Sequence, residues 1–137
     1  MNPTAQPLDP ARERILLLTL AGIQFAHILD FMVMMPLGPI LIRELGIGTH
    51  EFGLLVSAYT FSAAISGVLA ATFVDRFERK RLLLVMFAFF ALATLACGLA
   101  PGFWLLMTAR CAAGAFGGVL GSMVQTMVGD LIPFERR

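Results

Sequence analysis

The chain has 137 residues, of which 58% are hydrophobic and 14% are charged, and its formal net charge at pH 7 is +1. Soluble domains are usually about 45–50% apolar and about 25% charged, and so short a chain needs polar residues to cover its surface. The composition therefore excludes a soluble globular domain, and the near-zero charge excludes a strongly electrostatic nucleic-acid binder. Two cysteines without a Cys-x-x-Cys pair and two histidines predict no disulfide scaffold, no metal site and no cofactor.

Residues 1–14 contain three prolines and four charges, which predicts a solvated N-terminal tail. Each of the apolar runs that follow is near or above the ~20 residues that a helix needs to cross ~30 Å of hydrocarbon. Lipid admits only helices and closed barrels, and the runs lack the alternation of a barrel strand. The sequence therefore predicts an all-α membrane protein whose transmembrane domain covers residues 15–137. The four predicted helices span residues 15–42, 52–74, 82–99 and 103–128.

The distribution of Lys and Arg predicts how the helices are oriented. Of the ten basic residues, Arg43 alone lies on one side of the predicted membrane, and Arg110 lies inside helix 4. The other eight share the opposite side: Arg12, Arg14, Arg76, Arg79, Lys80, Arg81, Arg136 and Arg137. Because basic residues collect on the cytoplasmic side, both termini and the connection between helices 2 and 3 are predicted to be cytoplasmic. The expected location is the cell's inner or plasma membrane, crossed several times.

Helix 4 has small residues at helix-packing spacing. Gly114 with Gly118 and Gly117 with Gly121 form two overlapping small-xxx-small patterns. Inside lipid, close backbone approach at such patterns is the main source of attraction between helices. Two interpretations stay open: ordinary packing in a bundle, or a face shared between two neighbours or with a cavity. Ordinary packing is the favoured interpretation, and the shared face or cavity is the more specific alternative, because each interior glycine weakens a helix and one neighbour would not require so many.

Asp30 and Arg110 are ionisable residues within the predicted hydrocarbon. A charge at a helix centre costs about 2.5–3.5 kcal/mol on insertion scales, so each of these residues needs a partner or water. At 1.5 Å per residue, Asp30 lies ~22 Å from the inside and Arg110 ~20 Å, so the two could pair. Gln24 and His27 precede Asp30 at one-turn intervals and extend a polar stripe. The hypotheses are a structural ion pair or a site for protons or substrate, and buried charges in transporters favour the second.

The connection between helices 2 and 3 carries a recognisable motif. Asp75, Arg76, Arg79 and Lys80 match G-x-x-x-D-R-x-G-R-[RK], with Ala71 and Glu78 at its glycine positions. This segment resembles the signature loop of the major facilitator superfamily. Three further stretches resemble family motifs in the same order: Leu29-Asp30 to Pro36, Arg110 to Gly114, and Pro133 to Arg137.

The resemblance implies the first part of a twelve-helix fold, in which helices 1–3 form one repeat and helix 4 begins the next. It also implies a transporter rather than an enzyme, moving a small organic molecule by proton-coupled export and alternating access. Asp30 would take up the proton, Arg110 would bias its charge state, and the loop motif would be a conformational latch. The implied partners are a small-molecule substrate, protons, the lipid bilayer and the missing C-terminal helices or another chain, with no nucleic acid.

Two alternatives compete with this interpretation. A complete four-helix transporter that acts as a dimer, as in the small multidrug resistance family, suits the length and also needs an acidic residue in helix 1. The loop from Asp75 to Lys80 and the long fourth helix argue against it. A non-transporting membrane subunit is the other alternative, and the two buried charges argue against that one.

Overall fold

The computed structural model describes residues 9–131, and these form a bundle of four helices without a strand. Helix α1 spans Pro10–Leu45, α2 spans Thr49–Phe73, α3 spans Arg79–Leu99 and α4 spans Phe103–Leu131. A single 3-10 turn, Val74–Arg76, follows α2. All four helices are long and apolar enough to cross a membrane. The predicted all-α fold with four membrane-spanning helices is confirmed, and the chain is a multi-pass membrane protein.

Helix α1 begins earlier than the sequence predicts. The predicted tail extends to residue 14, whereas the structure is helical from Pro10, and residues 1–8 lie outside the described part. Pro10 suits the first turn because its backbone angle is already helical and it has no N–H group to satisfy. Glu13 donates its backbone N–H to the carbonyl of Asp9 at 3.0 Å, and its side-chain charge suits the positive end of the helix dipole.

The two prolines near the far end of α1, Pro36 and Pro39, do not end the helix. Each removes one backbone hydrogen bond, which membrane helices tolerate where neighbouring groups compensate. Gly38 lies between them and packs against the Phe52 ring, since a Cβ there would stand 2.9 Å from its Cζ atom. The helix continues to Leu45 and ends at Gly46, which adopts the left-handed conformation with φ 62°.

The other helices also extend beyond their apolar runs. Helix α2 begins at Thr49 rather than 52, and the Glu51 carboxylate accepts a hydrogen bond from the backbone N–H of Gly48. Helix α3 begins at Arg79 rather than 82, and α4 continues to 131 rather than 128. Hydropathy marks only the length of a helix that lies within the hydrocarbon, whereas the backbone hydrogen bonds of the helix continue through the charged residues at the membrane boundary.

Helix α4 is the centre of the bundle. It packs closely along α2 and α3 and more lightly against α1, while α1 and α2 touch over a short stretch. Three apolar clusters are stacked along the bundle. One lies near the start of α1 around Leu20 and Met123, one at mid-height around Tyr59 and Ala113, and one near the far end around Leu55. The polar residues of interest lie at mid-height.

Candidate functional site

Asp30 and Arg110 form a buried ion pair between α1 and α4. The Arg110 Nη1 group donates to the Asp30 Oδ2 atom at 3.3 Å, and the two side chains are 2% and 6% exposed. Eighty residues separate them in sequence, yet the matching depths estimated from the sequence already placed them at one level. Neither charge could remain in this apolar interior alone, because an unpaired buried charge costs several kcal/mol.

Tyr59 of α2 completes the surroundings of Arg110, although it is not among the site residues predicted from the sequence. The Arg110 Cζ atom lies 4.4 Å from the centre of the Tyr59 ring, a cation–π contact. Tyr59 is 3% exposed and its ring also packs against Phe31 at 5.8 Å. Tyr59 is the single tyrosine of the sequence, and this was the available signal.

His27 lies one turn before Asp30, at the junction of all four helices. Its ring stacks on the Tyr59 ring, with 6.1 Å between the ring centres, and packs edge-on against the Phe90 ring, with 5.8 Å between the centres. Both of its ring nitrogens are buried, as is the Gln24 Oε1 atom, and none has a hydrogen-bond partner within residues 9–131. Buried polar atoms are normally paired with protein or water. The predicted stripe of Gln24, His27 and Asp30 therefore faces the interior of the bundle and is suited to bind water or protons.

The glycines of α4 contact two different helices. A Cβ at Gly114 would overlap the Tyr59 backbone, and one at Gly118 would overlap the Ala63 carbonyl, so these two glycines allow α4 to approach α2 closely. Gly117 instead makes room for His27 of α1, since a Cβ there would stand 2.7 Å from the imidazole Cδ2 and Nε2 atoms. Gly121 also faces His27, since a Cβ there would stand 4.0 Å from the imidazole Cε1 atom. The glycine face is thus shared between two neighbours, which is one of the two interpretations left open above.

Side-chain hydrogen bonds reinforce the contact between α2 and α4. The Ser62 hydroxyl donates to the Cys111 carbonyl at 2.6 Å, and the Ser122 hydroxyl lies 3.3 Å from the Gly67 carbonyl. Such bonds to backbone carbonyls fix the register of two helices where small residues let them approach. The position of Tyr59 relative to Arg110 follows from this register.

The predicted latch residues lie at the end of the bundle where α2 ends and α3 begins. Arg79 forms an ion pair with Asp130 of α4 and a second with Asp75, at 3.7 Å. Arg76 and Lys80 are exposed, and within the described residues neither forms an ion pair. Asp130 is not among the latch residues predicted from the sequence. The motif therefore joins α4 to the loop between α2 and α3 through Arg79.

A shallow groove lies between α1 and α2 at mid-height, beside His27 and Tyr59. Its volume is about 310 Å³, and its lining residues include His27, Phe31, Met32 and Tyr59. Aromatic and sulfur side chains next to an imidazole suit a small organic ligand, because such sites combine mainly apolar walls with a few polar groups.

Comparison with known proteins agrees with the geometry. A sequence model described as Major Facilitator Superfamily matches residues 20–137. The chain belongs to the major facilitator superfamily. An MFS-type transporter of Mycobacterium tuberculosis is 31% identical over 113 residues, which cover 82% of this chain and 20% of the relative. A D-xylose transporter of Levilactobacillus brevis is 27% identical over 95 residues, covering 69% of this chain and 21% of the relative.

An efflux pump of Dothistroma septosporum is 38% identical over 81 residues, which cover 59% of this chain and 14% of the relative. No solved structure matches the chain. The chain spans only 14% to 21% of the length of these curated relatives. Membership of this superfamily decides against the alternative of a small multidrug resistance protein.

Proposed function

We propose that the chain forms the first four helices of a twelve-helix transporter that exports a small organic molecule in exchange for protons. Superfamily membership supports transport, and the names of the relatives include a D-xylose transporter and an efflux pump. In the fold of this superfamily, each half consists of inverted three-helix repeats with the site near the midplane. Helices α1–α3 would be the first repeat and α4 the first helix of the second.

The observation that carries the proposal is the buried ion pair of Asp30 and Arg110, because it joins the two repeats at mid-height. Burial favours the neutral carboxylic acid, whereas a nearby guanidinium favours the carboxylate. A small displacement of α4 relative to α1 would separate the two groups, and Asp30 would then bind a proton. The reverse movement would release that proton, so a change of shape and a change of protonation are coupled.

His27 and Gln24 would extend the proton pathway from Asp30 along α1. Their buried polar atoms lie on the same interior stripe, one and two turns from the carboxylate. The groove between α1 and α2 would contribute one wall of the substrate site, with the remaining walls supplied by the helices that this chain lacks. The substrate would then bind next to the protonated group, which is the arrangement that coupling requires.

The ion pairs of Arg79 would serve as a latch for one conformation. The side chains of Arg79 and Asp130 are 42% and 57% exposed, and exposed ion pairs contribute only about 0–1 kcal/mol. A pair of that strength can form and break during each cycle without trapping the protein. Arg76 and Lys80 would contribute through the charge of the loop, which faces the cytoplasm together with both termini in an inner or plasma membrane.

Replacing Asp30 by Asn tests the proposal, because asparagine keeps the shape of the side chain but cannot take up a proton. The whole transporter that contains this chain is placed in inverted vesicles, and a pH gradient is imposed. Radiolabelled D-xylose and the fluorescent cation ethidium are the two probe substrates. Asp30→Asn is expected to abolish transport against the substrate gradient, while the protein still inserts into the membrane.

Glu44→Gln is the matched control, since Glu44 is an exposed carboxylate on the same helix. It is expected to transport normally. Arg110→Ala is expected to impair coupling, and Arg110→Lys to restore it in part, because lysine lacks the planar fork of arginine. Unchanged transport by Asp30→Asn at matched expression would mean that the ion pair is structural, and the proposed mechanism would be wrong.

A further inference from the structure

We propose that Tyr59 is a positioning residue for the ion pair: its ring face holds the Arg110 guanidinium when Asp30 takes up a proton. In this way Tyr59 sets the pH at which Asp30 becomes protonated. The inference rests on the proposed proton coupling at Asp30, and it concerns a residue outside the predicted site.

The contacts of Arg110 carry the argument. Its single hydrogen bond to Asp30 measures 3.3 Å, whereas charge-assisted bonds of this kind usually measure about 2.7–2.9 Å. The Arg110 Nε and Nη2 atoms are buried without a hydrogen-bond partner within residues 9–131. The guanidinium lies over the face of the Tyr59 ring, with its Cζ atom 4.4 Å from the ring centre, and the Cys97 thiol approaches it from α3.

Tyr59 is held firmly in place. Its backbone lies against Gly114, where even a methyl group would not fit, and its ring is packed between His27 and Phe31. The ring therefore offers the guanidinium a fixed surface. Arg110 can lose Asp30 as a counter-ion without being left wholly unpartnered in an apolar interior.

The contact between the Tyr59 ring and Arg110 can shift the protonation of Asp30 only if its strength differs between the protonated and the ionised state of Asp30. In the ion-paired state, the Asp30 carboxylate already neutralises Arg110, so the ring adds little. After Asp30 is protonated, the guanidinium carries an uncompensated charge, and the attraction of the ring's negative face grows. A ring whose negative face is weaker should therefore make Asp30 harder to protonate. The pH at which half of the Asp30 side chains are protonated should fall.

Three other titratable groups lie around the ion pair, and their titration must be distinguished from that of Asp30. His27 approaches from α1, and the thiol of Cys97 approaches Arg110 from α3. Tyr59 itself has a titratable hydroxyl, and the test below therefore begins from the Tyr59→Phe variant, which lacks it. None of these groups produces the carboxylic C=O band in the infrared spectrum, so that band reports on carboxyl groups alone.

The test is an infrared titration of the whole transporter in lipid vesicles, following the C=O band that Asp30→Asn removes. Position 59 carries phenylalanine and then mono-, di- and trifluorinated phenylalanine, which weaken the ring face step by step at nearly constant shape. The midpoint of the band is expected to fall in steps, by on the order of one pH unit across the series. The same series at Phe61, which is 69% exposed on α2, is expected to leave the midpoint unchanged.

The outcomes separate this inference from the proposed function. If Asp30→Asn removes the band but the midpoint stays constant from phenylalanine to the trifluorinated ring, the role of Tyr59 is refuted and the role of Asp30 stands. If no band depends on Asp30 at any pH, proton binding there is refuted, and the inference falls with it. A stepwise shift at position 59 without one at position 61 supports both.

Discussion

Gly118→Ala should destabilise the bundle, because the contact between α2 and α4 leaves no room for a methyl group at this position. The added Cβ would overlap the Ala63 carbonyl oxygen and the Ser66 hydroxyl oxygen, and it would stand 2.8 Å from the Ala63 carbonyl carbon. The two Ala63 atoms belong to the backbone of α2 and cannot rotate out of the way as a side chain can. Carbon atoms are normally about 3.5–4.0 Å from their neighbours, so the helices would have to separate by about 1 Å. Overpacking of this kind costs about 1–3 kcal/mol, offset by up to about 1 kcal/mol of improved helix propensity.

Gly22→Ala is the matched control, because Gly22 is also inside a helix but a Cβ there would meet nothing within 4 Å. The measurement is the apparent Tm of each variant in mild detergent, from the fraction that still elutes as a monodisperse peak after heating. We expect Gly118→Ala to lower the Tm by several degrees and Gly22→Ala to leave it unchanged or raise it slightly. A Gly118→Ala protein as heat-resistant as Gly22→Ala would refute the close-packing argument.

Three further predictions concern the site, the latch and the orientation. Gly117→Ala should lower proton-coupled transport several-fold with little change in Tm, because its Cβ would meet the His27 side chain rather than backbone atoms. A large fall in Tm would contradict this. Asp130→Asn should reduce the free energy of unfolding by at most about 1 kcal/mol, an effect that 1 M salt removes, as measured by denaturant titration with and without salt. The orientation is tested in a variant whose native cysteines are replaced by serine and which carries one new cysteine, either His50→Cys or Arg79→Cys. An impermeant thiol reagent applied to intact cells should label the cysteine at position 50 and not the one at position 79. The reverse pattern would contradict the orientation.

Much of the fold could be predicted from the sequence, because lipid leaves a chain few choices. Long apolar runs must form helices there, and the two buried charges had to lie at compatible depths to satisfy one another. Asp30 and Arg110 could therefore be placed together without any knowledge of how the helices cross. The helix ends could not be predicted as well, since hydropathy does not report where backbone hydrogen bonding stops at Leu45 or starts at Arg79.

The role of Tyr59 could not be read from sequence patterns. Hydropathy treats a lone tyrosine in an apolar helix as lining or core, and only the rotation of α2 relative to α4 brings its ring over Arg110. The partner of Arg79 was missed for a similar reason. Asp130 lies 51 residues away on another helix, and a match to a loop motif contains no information about which helix the loop contacts.

The glycine face and the charged site depend on each other physically. Gly114 brings the Tyr59 backbone against α4 only four residues from Arg110, so the close approach that stabilises the bundle also creates the cation–π contact. Gly117, three residues further along α4, admits His27 to the same level. Because the helices meet through backbone and small side chains, a slight shift of α4 changes the surroundings of Asp30, Tyr59 and His27 together. The proposed coupling of a proton to a movement would gain from such an arrangement, since the packing surface that would move also forms the surroundings of the charged pair.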